Sequence, residues 1–97
     1  MHIVFSPRAV RDLEEIGDYI AEDSPRRAIS FVCELREHCR SIASAPKACS
    51  LREDLAPGIR MAVHGRYVIF YRELDADLRI ERILHGARDL QSIFEDE

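Results

Sequence analysis

Residues 59–94 read IRMAVHGRYVIFYRELDADLRIERILHGARDLQSIF. Ile59, Met61 and Val63 alternate with Arg60, Ala62 and His64, the period of a half-buried strand. His64-Gly65 predicts a tight hairpin turn, because glycine readily takes positive φ. Tyr67 to Tyr71 is an apolar run, Tyr-Val-Ile-Phe-Tyr, which fits a central strand covered on both faces. After the Asp75-Ala76-Asp77 turn, Leu78, Ile80, Arg82 and Leu84 share one face of a further strand. Arg79, Glu81, Ile83 and His85 share the other. Asp89 is a good N-cap for a short helix through Leu90, Ile93 and Phe94. The stretch predicts a three-stranded antiparallel meander with a helical end.

Outward from the meander, two helices precede it. Ile3, Val4 and Phe5 form a short strand-like run, predicted to join an edge of the sheet. Ser6-Pro7 ends it. Serine is a preferred N-cap, and proline suits the first helical position because its missing N–H would lack a helical partner there anyway. Val10, Leu13, Ile16 and Ile20 recur at helical spacing, with Gly17 inside the pattern. Ser24-Pro25 repeats the start signal, and Ala28, Phe31, Val32, Leu35, Cys39 and Ile42 keep the period until Pro46. The linker from Glu22 to Ser24 is so short that the helices form an αα-hairpin. Their apolar stripes need a partner, and the sheet supplies it. The predicted fold is thus α+β, a two-layer sandwich. An antiparallel β-sheet carries the N-terminal helical hairpin on one face, with a short C-terminal helix. Val10, Leu13, Ile16, Phe31, Leu35, Val68, Phe70 and Ile83 are the expected core. Residues 46–58 form one long connection.

The 97 residues are the size of a single domain, 1–97. Apolar residues at 46% and charged residues at 33% fit a globular protein. No run approaches the ~20 apolar residues of a membrane helix, and Met1 to Pro7 lacks a signal-peptide pattern. These features predict a cytoplasmic protein with no membrane partner. Three cysteines, Cys33, Cys39 and Cys49, form no disulfide framework and no zinc-ligand pair. Cys33 and Cys39 read as small buried hydrophobes. His2, His38 and His64 are too scattered in sequence to propose a metal site. No cofactor motif is present.

The net charge of −4 disfavours nonspecific nucleic-acid binding, and no sequence-specific binding is expected either. The charge is uneven. Residues 58–88 hold six arginines against four acids, whereas the chain ends Glu95-Asp96-Glu97. Thirteen of the fourteen basic residues are arginine, suited to bidentate contact with carboxylates or phosphates.

Four pieces of the chain, in order, resemble the ParE branch of the RelE/ParE superfamily of bacterial toxins. Ala9, Asp12, Leu13, Ile16, Tyr19 and Ile20 match its A-x-x-D-L-x-x-I-x-x-Y-I pattern. Ser24, Pro25, Ala28 and Phe31 match S-P-x-x-A-x-x-F. Leu55, Pro57, Gly58, Ile59 and Arg60 resemble the family's L-x-P-G-x-R entry to the sheet. Arg82-Ile83-Leu84-His85-Gly86-Ala87-Arg88-Asp89-Leu90 matches its R-I-L-H-G-A-R-D-L ending. The resemblance implies the toxin of a type II toxin–antitoxin pair, which poisons DNA gyrase by binding and is neutralised by a ParD-like antitoxin. Tyr19, Ile20, Leu35, Leu51 and Leu55 are the candidate antitoxin groove. Arg60, Arg82, His85, Arg88 and Phe94 are the candidate target surface. The alternative is a RelE-like ribosome-dependent mRNA endoribonuclease. That chemistry needs a proton acceptor, a proton donor and cationic groups for phosphorane charge. His64, His85, Arg60, Arg82 and Arg88 would be its candidates. The acidic ending disfavours it, and no residue is assigned as catalytic.

Overall fold

The serines of both Ser-Pro pairs act as N-caps. In a computed structural model of the protein, residues 1–86 are described. Ser6 Oγ accepts from the Ala9 N–H at 3.0 Å and opens helix α1, Pro7–Ala21. Ser24 Oγ accepts from the Arg27 N–H at 3.1 Å and opens α2, Pro25–Ser44. Each satisfies an amide that the helix itself leaves unpaired.

Five strands complete the described chain: β1 His2–Phe5, β2 Ser50–Leu51, β3 Arg60–His64, β4 Tyr67–Leu74 and β5 Asp77–His85. They form one mixed sheet in the order β1-β5-β4-β3-β2. β3, β4 and β5 are the predicted antiparallel meander, with β4 in the centre. β1 lies on an edge, as expected, and runs parallel to β5. β2 is an addition. It is only two residues long, sits inside the long connection, and pairs with Arg60 and Met61. A strand this short leaves too few residues to display a period. The β3–β4 turn is Gly65-Arg66, with Gly65 at φ 61°. The predicted C-terminal helix lies outside the described residues.

Both helices pack on one face of the sheet. Ala9, Leu13 and Ile16 from α1 and Leu35, Cys39 and Ile42 from α2 meet Ala62, Tyr67, Ile69, Tyr71, Leu78, Ile80 and Ile83. A second, smaller cluster lies on the other face. There Ile59, Val68, Phe70 and Leu84 are covered by Leu55, Ala56 and Met61. The long connection is thus folded down over the sheet. The Arg52 N–H donates to Ile59 O at 2.7 Å, and Arg72 Nε donates to Pro57 O at 3.0 Å.

Four expectations need correction. Val10 is 43% exposed, because the buried stripe of α1 runs through Ala9, Asp12, Leu13 and Ile16 instead. Phe31 is only half-buried, capping the sheet end. In β3, Ala62 faces the helices and Val63 is 62% exposed. Finally, β5 does not keep one parity. Phe70 pairs with Arg82, but Tyr71 pairs with Ile80, so Glu81 is an extra residue in a β-bulge. A bulge shifts the side-chain alternation by one. Ile83 therefore joins Leu78 and Ile80 under the helices, while Leu84 turns to the opposite face.

Candidate functional site

β5 runs on past the β1 ladder, which stops at Ile80, and so leaves backbone groups on that side without a strand partner. Helix α1 supplies the partners. Ser6 Oγ donates to Glu81 O at 2.7 Å. The Asp12 carboxylate accepts from the Ile83 N–H at 3.0 Å, from Arg82 Nε at 2.8 Å and from Arg82 Nη2 at 3.1 Å. Asp12 is buried and the Arg82 side chain is mostly so. A buried carboxylate requires such pairing, because desolvation otherwise costs several kcal/mol. Two separated sequence motifs thus meet at one ion pair. Sequence reasoning gave Asp12 no site role. Its signal was present, since an acid three residues after Ala9 and four before Ile16 lies on the apolar stripe.

Arg82 was a candidate target contact, but its guanidinium is committed to Asp12. Arg60 is similarly held. Its Nη1 donates to Cys49 O at 2.7 Å, and its Nε lies 3.8 Å from Glu73. Arg72 and Arg79 share Glu81, each at 2.7 Å. The locally basic sheet is therefore largely neutralised by its own acids. Arg66, in the hairpin turn, is exposed. Arg88 and Phe94 lie outside the described residues.

His85 belongs to a different arrangement. Tyr67 is the cross-strand partner of both His64 on β3 and His85 on β5. These three side chains form a row across one end of the sheet. The His85 ring meets Tyr67 edge-on at 5.3 Å. Phe31 of α2 lies over the row, 5.5 Å from His64 and 5.4 Å from Tyr67. Arg27 stacks on Phe31 at 5.1 Å and pairs with Glu34 at 2.6 Å. That hydrogen bond holds the exposed Glu34 carboxyl below its ordinary value. His38, one turn on, brings its Nδ1 within 2.8 Å of His64 Nδ1. Three of the four histidines, scattered in sequence, are thus gathered at one end of the molecule. Among the described residues no group of three His, Cys, Asp or Glu side chains could hold a metal.

The antitoxin candidates do not line one groove. Tyr19 is 56% exposed at the C-terminal end of α1, and neighbouring Ile20 is half-buried against the main core. Leu51 is 46% exposed on edge strand β2. Leu55 packs on the sheet face away from the helices. Leu35 is fully buried, so no partner can reach it without opening the core.

The family model for the ParE toxin of the type II toxin–antitoxin system parDE matches residues 3–90. This chain belongs to that family. It is 34% identical over 91 residues to Toxin RelE2 of Caulobacter vibrioides, spanning 89% of this chain and 96% of the relative. Its fold matches a chain of the chromosomal ParDE TA system from P. aeruginosa, with a TM-score of 0.76. That match covers 88% of this chain and 95% of the other, at 22% identity. The protein is therefore the toxin component of a type II toxin–antitoxin system. Among the described residues no helix is long and apolar enough to cross a membrane.

Proposed function

We propose that this toxin acts by docking on DNA gyrase and trapping its cleaved-DNA state, and that a ParD-like antitoxin neutralises it. One observation carries the choice of docking over catalysis. Two of the arginines expected to neutralise phosphorane charge, Arg60 and Arg82, are bound to internal acceptors. Using either in phosphate chemistry would strand a backbone carbonyl or a buried carboxylate. The ParE family membership supports the same reading. Exposed Tyr19, with half-buried Ile20 beside it on the helical hairpin, and exposed Leu51 on β2 are the surface offered to the antitoxin. The toxin acts in the cytoplasm, where its target resides.

The row of His64, Tyr67 and His85 favours a second reading, ribosome-dependent mRNA cleavage, since histidines can exchange protons with a ribose hydroxyl. Two assays run together separate the readings. Purified gyrase, treated with the toxin, loses supercoiling activity and accumulates cleaved DNA, while ribosome-bound message stays intact. Cleaved message with unaffected gyrase, abolished by His85→Ala, replaces the first reading with the second. Loss of a general acid or base lowers rate by about 10²–10⁴-fold, whereas loss of a ring packed on Tyr67 does not.

A further inference from the structure

The His38–His64 contact joins α2 to the turn end of β3, beside the packing of Phe31 on His64 and Tyr67. His38 lies on α2 and His64 at the end of β3, where the hairpin turns. β2 pairs only with Arg60 and Met61, so among the described residues the His64 end of β3 has a strand on one side only. Phe31 packs on His64 and Tyr67, and the Gly86 N–H donates to Arg66 O at 2.9 Å. Strand ends held by few interactions open at low free energy.

An Nδ1···Nδ1 separation of 2.8 Å is a hydrogen bond, so one nitrogen must carry the hydrogen and the other a lone pair. One proton added to the donor imidazole is compatible with this contact. A second proton removes the acceptor and leaves two N–H groups and two positive charges face to face. We propose that the His38–His64 pair is a proton-operated latch, closing the β3–β4 hairpin onto α2 near neutral pH and releasing it on acidification. The surroundings define its charge balance. Glu34 on α2 interacts with His64 and is itself neutralised by Arg27. Exposed Arg66 sits in the hairpin turn, and Tyr67 and His85 complete the row on the sheet side.

Folding depresses the His38 pKa, through burial first and the charge of His64 second. The unfolded or opened state then binds the proton better than the closed one. The latch is intact above the ordinary imidazole value of about 6.5, and its contribution declines as pH falls from there toward the folded value of His38. Each unit of separation between closed and open pKa is about tenfold in the opening equilibrium.

The test uses the complete toxin, made inactive for production by co-expression with its antitoxin and then separated. Imidazole proton resonances are titrated from pH 8 to pH 4.5, and amide exchange at Gly65, Arg66 and Tyr67 is followed over the same range. In the wild type, His38 titrates below the ordinary value, and hairpin exchange, corrected for intrinsic rates, accelerates on acidification. In His64→Gln, the His38 midpoint moves up, because the charge of His64 is gone while burial remains. In His38→Phe, the acid-dependent opening of the hairpin disappears. An ordinary His38 midpoint in the wild type overturns the proposal. So does hairpin opening that keeps its pH dependence in His38→Phe. If that variant does not fold, the wild-type titration and His64→Gln decide alone.

Discussion

Asp12 illustrates how one residue can hold a fold together. Its two carboxylate oxygens serve a guanidinium and a backbone amide beside the bulge. Removing it takes two hydrogen bonds from the Arg82 guanidinium and this acceptor from the buried Ile83 N–H. Asp12→Ala is expected to lower unfolding free energy by about 3–5 kcal/mol, the range for breaking a buried ion pair from one side. Urea denaturation measures it, and Arg82→Ala in the same background should add less than its separate cost. A loss below about 1 kcal/mol would show that water replaces the carboxylate readily. The cysteines divide in a way their shared helix does not announce. Cys39 is buried and its thiol is pushed up to about 11 by desolvation, whereas Cys33 is exposed. Since only the thiolate reacts, an alkylating reagent at pH 8 should label Cys33 and spare Cys39 in the native protein. Labelling of Cys39 at a rate matching the unfolded chain contradicts its place in the core. Cys33 thus departs from the expected pair of buried hydrophobes.

At the scale of elements, the helices were legible and the strands only partly so. A Ser-Pro start combines a side-chain acceptor with a fixed φ, both local properties, and both caps form as read. The glycine inside α1 was less informative. A Cβ built on Gly17 would lie 3.5 Å from Val32 Cγ2, an ordinary contact. The helix pair therefore does not need glycine at this point. Gly17→Ala should stabilise the protein by about 0.5–1 kcal/mol through helix propensity and reduced chain entropy. In thermal unfolding that corresponds to an increase of a few degrees, and a lower midpoint would mean that α1 and α2 pack tighter than the backbone indicates. The bulge in β5 was not legible. Both parities of Leu78 to His85 offer apolar residues to either face. Only pairing with β4, and the partners provided by Ser6 and Asp12, selects the observed shift.

For the whole molecule, the question is which surface a partner can reach. Tyr19 and Leu51 are exposed, but Leu35 is part of the core under the helices. A ParD-like antitoxin should therefore bind less tightly to a Tyr19→Ala, Leu51→Ala double variant whose fold is intact by circular dichroism. Titration calorimetry reads the change, and an unaltered affinity places the interface elsewhere. Leu35→Ala should act differently, costing about 2–5 kcal/mol of stability as a core truncation. Any effect of that variant on the antitoxin then follows from the fold rather than from a contact. The local excess of arginine over acid between residues 58 and 88 also changes meaning at this scale. Arg60, Arg72, Arg79 and Arg82 face Glu73, Glu81 and Asp12, so net charge along the chain overstates the positive field at the surface.

What the sequence determined by itself is what depends on neighbours a few residues apart. Helix starts, the helical hairpin and the central apolar strand all follow from caps, periods and backbone preferences, whereas the hairpin turn expected at His64-Gly65 falls one residue later, at Gly65-Arg66. The four motifs, taken in order, also identified the family. Tertiary structure decided everything that depends on residues far apart in sequence. It placed Asp12 against Arg82 and Ile83, 70 and 71 positions away. It joined His38 to His64 and turned Arg60 inward onto the long connection. The physical reason is that a buried polar group must find its partner wherever the packed layers bring one within about 3 Å, and one-dimensional spacing carries no record of that meeting.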